Sequence, residues 1–600
     1  MTPWVGQSVK RVEDPRLLRG VARFIDDLEP VAGMVHAAIV RSPHAHARVV
    51  SVDASAARAM PGVLAVLTPD EIRGQSRPFP LAVNVPVEYY AAAVDRARYV
   101  GEPVAVVVAE NRYLAEDAVD QVAVEYEPLP AVVETEAALA SDAPLLHQAV
   151  GSNIGNHRTF EFGTPAAAFA EADLVIEERF SYPRYTSLPV ETYGVIADWD
   201  PGMALMTIRS NFHGPFVLHG VVAAGLGLAG NQLRFVIPAD IGGSFGIKSG
   251  IYPYMVLMGL ASRRVGRPVK WTEDRREHLL ASGTGADRIA YVRAAFRQDG
   301  ELIGLEYRFL DNVGAYIRSP EPATMFRCFG NFTGAYRVQN LRAETLSVMT
   351  NKAPTGLNRG FGGPQLYLGL ERVMDLAGVR LGLDPIEIRR RNLIRANQFP
   401  YRTPSGGVYD SGDYDAVLDR AEALSHYTDL RAQQARAREA GRYFGIGVAT
   451  VVDPSGTNMG YVTLAQTAEE RARSLPKSGS TESATISMDP GGGVTVRLTT
   501  TPEGQGHETV TAQIVADELG LAPERVRVLA EMDTLSQPWS ITTGSYSSRF
   551  GPLGSSAVVL AARKLRDNLA RIAASLLETA PEDLEFAAGV FSVRGAPDRK

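Results

Sequence analysis

Hydrophobic and polar positions in the first part of the chain alternate in short blocks that predict strands and helices in turn. Met34 to Val40 reads as an apolar strand, Asp53 to Met60 as a short helix and Val104 to Val108 as a buried strand. A helix from Leu114 to Val119 and a strand from Val122 to Tyr126 complete one α/β region, residues 1–130. The stretch from Leu129 to about Phe162 is rich in Ala, Pro, Ser and Gly, so residues 131–165 are expected to be a surface linker. An α+β region, residues 166–410, follows, with strands at Asp173 to Arg179 and Gly194 to Asp198 and a helix from Tyr252 to Val265. Val292 to Phe296 and Leu302 to Leu310 read as an antiparallel pair around Asp299-Gly300. A strand at Arg342 to Met349 then precedes a helix with Leu366, Leu370, Val373 and Ala377 on one face, and Pro385 to Leu393 is a short helix.

Residues 411–600 form the third region. Helices are expected at Ala416 to Leu424 and Tyr427 to Ala440, a strand at Gly445 to Val452 and a charged insertion at Thr467 to Lys477. A hairpin of Ala484 to Met488 and Val494 to Thr499 leads to a helix through Val510, Ile514, Ala516 and Leu519. A long helix carries Val558, Ala562, Leu565, Leu569, Ile572 and Leu576 at alternating four- and three-residue spacing. Leu584 to Val593 reads as one strand near the chain end, so this last domain is expected to be incomplete.

Four loops share one design, glycines feeding a helix. They are Gly242-Gly243-Ser244-Phe245-Gly246-Ile247-Lys248, Asn358-Arg359-Gly360-Phe361-Gly362-Gly363-Pro364-Gln365, Gly504-Gln505-Gly506-His507 and Thr542-Thr543-Gly544-Ser545-Tyr546-Ser547-Ser548-Arg549. Such turns let the backbone approach a ligand and aim unpaired N–H groups at it from the helix's positive end. Arg359 adds charge and Phe361 a flat apolar wall. One loop of this kind is ordinary; four in one chain point to a ligand with anionic groups.

Composition narrows the chemistry. Six hundred residues call for two to four domains, and 45% hydrophobic with 22% charged residues describes a globular protein. A net charge of −7 over this length argues against a nucleic-acid or anionic-membrane surface. No apolar run reaches spanning length and Met1-Thr2-Pro3-Trp4 lacks a signal-peptide pattern, so a cytoplasmic location is expected. The single Cys328 leaves no internal disulfide or thiolate-held iron–sulfur cluster on this chain, so electrons from any redox reaction must pass to another chain.

Several residues admit two readings. His44 and His46 form a His-x-His pair, but with no third ligand near in sequence they are expected to be surface or packing residues. Glu102, in Val100-Gly101-Glu102-Pro103, is expected to mark the turn before a core strand. Glu191 is either a site residue or a solvated loop charge. Arg389-Arg390-Arg391 is expected to be a solvated, ion-paired face, since no aromatic residues interleave it. Arg327 lies in an apolar neighbourhood beside Cys328 and needs an anionic partner, a structural carboxylate or a ligand.

Taken together, these motifs resemble the large, molybdopterin-binding subunit of the xanthine oxidase family. The resemblance covers nearly the whole chain, from Val5-Gly6-Gln7-Ser8-Val9-Lys10-Arg11 and Arg41-Ser42-Pro43-His44-Ala45-His46-Ala47 to Gly504-Gln505-Gly506-His507. It implies an α/β hammerhead domain over residues 1–130 and two α+β molybdopterin-binding domains, 166–410 and 411–600. Gly243, Ser244, Phe245, Gly246, Arg359, Gln505, Gly506, Gly544, Ser545 and Ser547 would bind a molybdenum–molybdopterin cofactor, expected in its cytosine dinucleotide form. Arg327 would stabilise charge developing on the substrate, and Phe361 would be one of two aromatic clamps, the second unassigned. The implied reaction is hydroxylation of a heteroaromatic or aldehyde C–H with oxygen from water, electrons passing to an iron–sulfur subunit and an FAD subunit.

Four departures qualify this. Ser249 stands where xanthine-type members carry a substrate-binding Glu, and Ile247 replaces a glycine. Asn211, or a neighbour in Ser210 to Pro215, stands roughly where members carry a Gln facing the metal's oxo ligand. The loop Leu357 to Phe361 holds no cysteine, which argues against carbon monoxide oxidation. The family's basic glutamate belongs to a late Val-Gly-Glu-Pro-Pro-type segment beyond residue 600. An incomplete or split large subunit, with a second chain supplying the base, is therefore expected. Losing a positioned base costs about 10²–10⁴-fold in rate. A non-catalytic, cofactor-free assembly subunit is the alternative; another phosphate- or nucleotide-binding enzyme would lack any P-loop or Gly-x-Gly-x-x-Gly fingerprint.

Overall fold

A computed structural model describes residues 3–600 except 458, 474–480 and 541–543. Part of the expected insertion, Ser474 to Lys477, and Thr542-Thr543 of the last glycine loop lie outside the described residues. An eight-stranded sheet crosses the boundaries read from the sequence. Its order is Met532–Asp533, Leu233–Ile237, Leu205–Ser210, Gly194–Asp200, Val269–Thr272, Val35–Arg41, Pro103–Ala109 and Val63–Leu67. Val35 pairs in parallel with Val269, so the first region and the second share one ladder. Pro103–Ala109 is buried at every residue, which accounts for its unbroken apolar run.

The second sheet has five strands in the order Ile154–Phe162, Leu341–Met349, Leu302–Gly314, Asp287–Phe296 and Leu174–Tyr182. Its edge strand, Ile154–Phe162, falls inside the stretch expected to be linker. An edge strand leaves much of its surface exposed, so its hydrophobic pattern is weak. The preceding segment is also held down: Val132 N–H donates to Asn351 Oδ1 at 2.9 Å, and Leu146 and His147 are buried.

Helix α1, Tyr252–Val265, is buried from Tyr252 to Ser262 and ends at Gly266 with φ 62°. An all-round apolar helix of this kind is a core element. Helix α2, Gly363–Leu381, packs on Asp287–Phe296 and Leu174–Tyr182. In the last domain α3, His507–Leu519, and α4, Ser555–Leu576, cover a three-stranded sheet of Ala484–Met488, Val494–Leu498 and Val526–Leu529.

Three further expectations are corrected. Gly445 to Val452 forms no strand; its polar groups are taken by side chains, Thr450 N–H by Glu371 and Val452 by Tyr367 and Asn331. Leu584 to Val593 is a hairpin, Leu584–Ala587 with Val590–Val593, turning on Ala588 and Gly589, both at positive φ. Arg389 is not solvated: it is fully buried and paired with Glu371 and Asp375 at 2.8 Å each, while Arg390 and Arg391 do pair at the surface. Among the described residues no helix is long and apolar enough to cross a membrane.

Candidate active site

Segments of the four glycine loops meet around one cavity of about 720 Å³. Two loops come from the second region and two from the third, so the cavity lies between them. Close approach explains two of the glycines. At Gly246, φ +99°, an added Cβ would lie 3.0 Å from Leu357 O, forcing two loops apart. At Gly544, φ +140°, it would lie 2.2 Å from His213 O, where the last loop docks on the second region. The starts of α2 and α3 adjoin these loops, which favours negative charge in the cavity.

Charged side chains near the cavity are held by named partners. Arg327 forms a bidentate pair with Asp453, both contacts at 2.9 Å, and its guanidinium stands 4.9 Å from the Phe361 ring centroid. The partner of the buried arginine is thus a structural carboxylate. Glu191 accepts from Gly242 N–H and from Lys248 Nζ, each at 2.8 Å, and so braces the first glycine loop rather than pointing into solvent. Arg549, fully buried, pairs with Glu482 at 2.9 Å.

Three polar groups remain open to a ligand. Glu503 Oε1, His507 Nδ1 and Arg327 Nε are buried, on cavity-lining side chains, and have no hydrogen-bond partner among the described residues. Burial pushes the Glu503 carboxyl up to about 8, with Lys248 opposing and Glu191 adding to the rise. Burial holds His213 and His507 down to about 4, so both imidazoles are neutral near pH 7. His507 stacks on Phe550 with centroids 3.9 Å apart. Ser244 Oγ lies 2.8 Å and Glu503 Oε1 3.6 Å from the same atom, His213 Nδ1. A hydrolase triad needs its serine and carboxylate on opposite ring nitrogens, so this is not one.

Residues 19–130 match the family model for the a/b hammerhead domain of aldehyde oxidase and xanthine dehydrogenase, and 146–393 and 420–600 match molybdopterin cofactor-binding domains. The chain is 35% identical to the 6-hydroxypseudooxynicotine dehydrogenase complex subunit gamma of Paenarthrobacter nicotinovorans, over 99% of this chain and 72% of that one. It is also 35% identical to the carbon monoxide dehydrogenase large chain of Hydrogenophaga pseudoflava, over 97% and 73%. The chain belongs to the xanthine oxidase family. Quinoline 2-oxidoreductase from Pseudomonas putida 86 superposes with a TM-score of 0.90 at 34% identity, covering 100% of this chain and 75% of that one.

Of the residues expected from this family's pattern, Gly243, Ser244, Phe245, Gly246, Arg359 and Phe361 line the cavity, as do Arg327, Gln505, Ser545 and Ser547. Gly506 lines instead a second cavity of about 490 Å³, and Gly544 packs behind the loop against His213. The Arg359 amide donates to Asn358 Oδ1 at 2.9 Å and so is engaged within its own loop. Asn211 is structural, bonded to Gly194 N and Thr192 O, whereas its neighbour His213 faces the cavity. Ser249 lines a small recess that adjoins the cavity, sharing His213, Leu357 and Tyr546 with it. His46 bonds to Pro130 O at 2.7 Å, and no metal-binding cluster occurs among the described residues. Glu102 does mark the turn before Pro103–Ala109, where it accepts from Arg98 N–H and Tyr316 OH.

Asp453, His213, Glu503, His507 and Phe550 were not singled out as site residues from the sequence. His507 sits in a quoted motif and His213 beside Asn211, so both had a local signal. Asp453 had none: it meets Arg327 across 126 residues of chain.

Proposed function

We propose that this chain is the cofactor-binding large subunit of a molybdenum hydroxylase that oxidises a C–H bond of a heteroaromatic or aldehyde substrate with oxygen from water. The observation carrying this reading is the cavity walled by segments of all four glycine loops from both molybdopterin-binding domains, with buried polar atoms of His507 and Arg327 that have no hydrogen-bond partner among the described residues. These residues fit the cofactor. Unpaired donors and acceptors suit a pterin's amide edges, and the helix starts suit its phosphate. Gly243 to Gly246, Gln505, Ser545 and Ser547 hold it, in the cytosine dinucleotide form, with Gly506 and Gly544 shaping the loops. When bound, the cofactor supplies the two-electron oxidation.

The chain's own residues position the substrate. Phe361 offers a flat apolar wall, and Arg327, oriented by Asp453, stabilises negative charge developing on the ring. Cys328 is buried and outside the cavity lining, which favours a C–H substrate over carbon monoxide. Ser249, where an acidic side chain would be needed, likewise gives no support to a purine. Electrons pass to an iron–sulfur and an FAD subunit.

The test is molybdenum and pterin content of the chain expressed alone and beside candidate partner subunits, followed by a screen of N-heteroaromatic rings and aldehydes. Stoichiometric molybdenum with turnover supports the reading; none under either condition overturns it.

A further inference from the structure

Two cavities meet at a thin wall. Gly243, Phe245 and Glu503 line both the 720 Å³ cavity and the 490 Å³ one. The smaller cavity is rimmed by Leu188 and Val190, 49% and 93% exposed, so it reaches the surface. Of the three wall residues only Glu503 can take up or release a proton through its side chain. That side chain is 6% exposed, and its Oε1, 3.6 Å from His213 Nδ1, has no hydrogen-bond partner among the described residues. A buried carboxylate oxygen left without a hydrogen-bond partner is costly, so the position calls for a function.

We propose that Glu503 is this chain's proton exchanger, taking protons from the larger cavity and releasing them to the smaller. The inference rests on the hydroxylase reading above. Oxidation of a C–H by water, RH + H₂O → ROH + 2 H⁺ + 2 e⁻, sends electrons to the cofactor and leaves two protons that must quit the cavity. A carboxyl that changes charge near working pH is suited to carry them. Burial raises Glu503 into that range, to about 8. The groups facing it set that balance. Lys248, from the first glycine loop, favours the anion, while Glu191, bonded to that lysine, opposes it. His213 is neutral and held by Ser244, so it neither neutralises nor repels the carboxylate. Glu13, Asp240 and Glu508 line the smaller cavity with Arg16, which pairs with Asp240 and Glu508.

Two measurements test this on the full chain with its partners. The first needs no turnover: infrared difference spectra of wild type against Glu503→Gln, recorded with and without cofactor. The expected result is a protonated carboxyl band present at pH 7 in wild type only and titrating near pH 8. Its absence, or titration below pH 5, overturns the proposal. The second is the pH profile of kcat. Glu503→Gln is expected to lose about 10²-fold in kcat at unchanged molybdenum content with KM little altered, and to lose the alkaline-rising limb. Glu503→Asp should restore part of both. An unchanged profile, or a loss that follows molybdenum content alone, overturns the proposal. Failure to find molybdenum would sink the hydroxylase reading while leaving the infrared result readable.

Discussion

The loops at 242–250 and 504–507 both turn on glycines into a helix, but what stands behind those helices differs. Behind the first is α1, buried from Tyr252 to Ser262 within the main core. Behind the second is a small core of α3, α4 and three strands. There α4 buries only Val558, Ala562 and Ala574, and leaves Leu560, Ile572 and Leu576 exposed at 66%, 58% and 78%. The last domain therefore borrows support. Trp4 N–H bonds Asp517 and Arg16 joins Asp240 to Glu508, while within the domain Arg549 is pinned by Glu482. One wall of the cavity is set by packing, the other by specific polar ties.

The largest expected effect lies in the second wall. Glu482→Ala strands a buried guanidinium and should cost about 3–5 kcal/mol. Calorimetry should then show the last domain melting ahead of the rest; a single unshifted transition would mean the tie is unimportant. In the first wall Leu257→Ala, at a fully buried site of α1, should cost about 2–5 kcal/mol. The matched change Leu560→Ala on α4 should cost about 0.5 kcal/mol or less. Equal costs would erase the contrast between the walls.

Next in size is an acid sensitivity of the cavity. His213 and His507 are lowered from 6.5 to about 4, so between those values the unfolded chain binds protons that the folded chain does not. These two groups therefore contribute a loss of stability as pH drops from 6.5 toward 4, while Glu503, Glu102 and Glu321, raised to about 7–8 by burial, contribute in the opposite direction. A cofactor-free His213→Gln/His507→Gln variant should show a shallower loss in thermal melts; an identical slope would assign the effect elsewhere. The smallest effect is Arg16→Ala, about 1 kcal/mol for a partly exposed pair. It should raise proteolysis of the arm 3–20 while leaving α1 protected in hydrogen exchange.

Local pattern revealed much of the secondary structure. Met34 to Val40, Tyr252 to Val265 and Ala484 to Met488 emerged within a residue or so of their expected bounds, because period and capping are properties of neighbouring residues. It missed Ile154–Phe162, an edge strand with weak alternation, and read Gly445 to Val452 as a strand because its apolar run packs without a ladder. The site divides the same way. The glycine loops were legible because a turn into a helix needs particular residues at particular spacings.

The sequence by itself determined the loops, their glycines, the lone cysteine and the order of three regions. Only the tertiary structure decided that the regions share one sheet, that Asp453 answers Arg327 and that Glu503 stands between two cavities. Turns and helices are set by interactions a few residues apart, whereas a buried charge is set by whichever distant group the packing brings within about 3–4 Å.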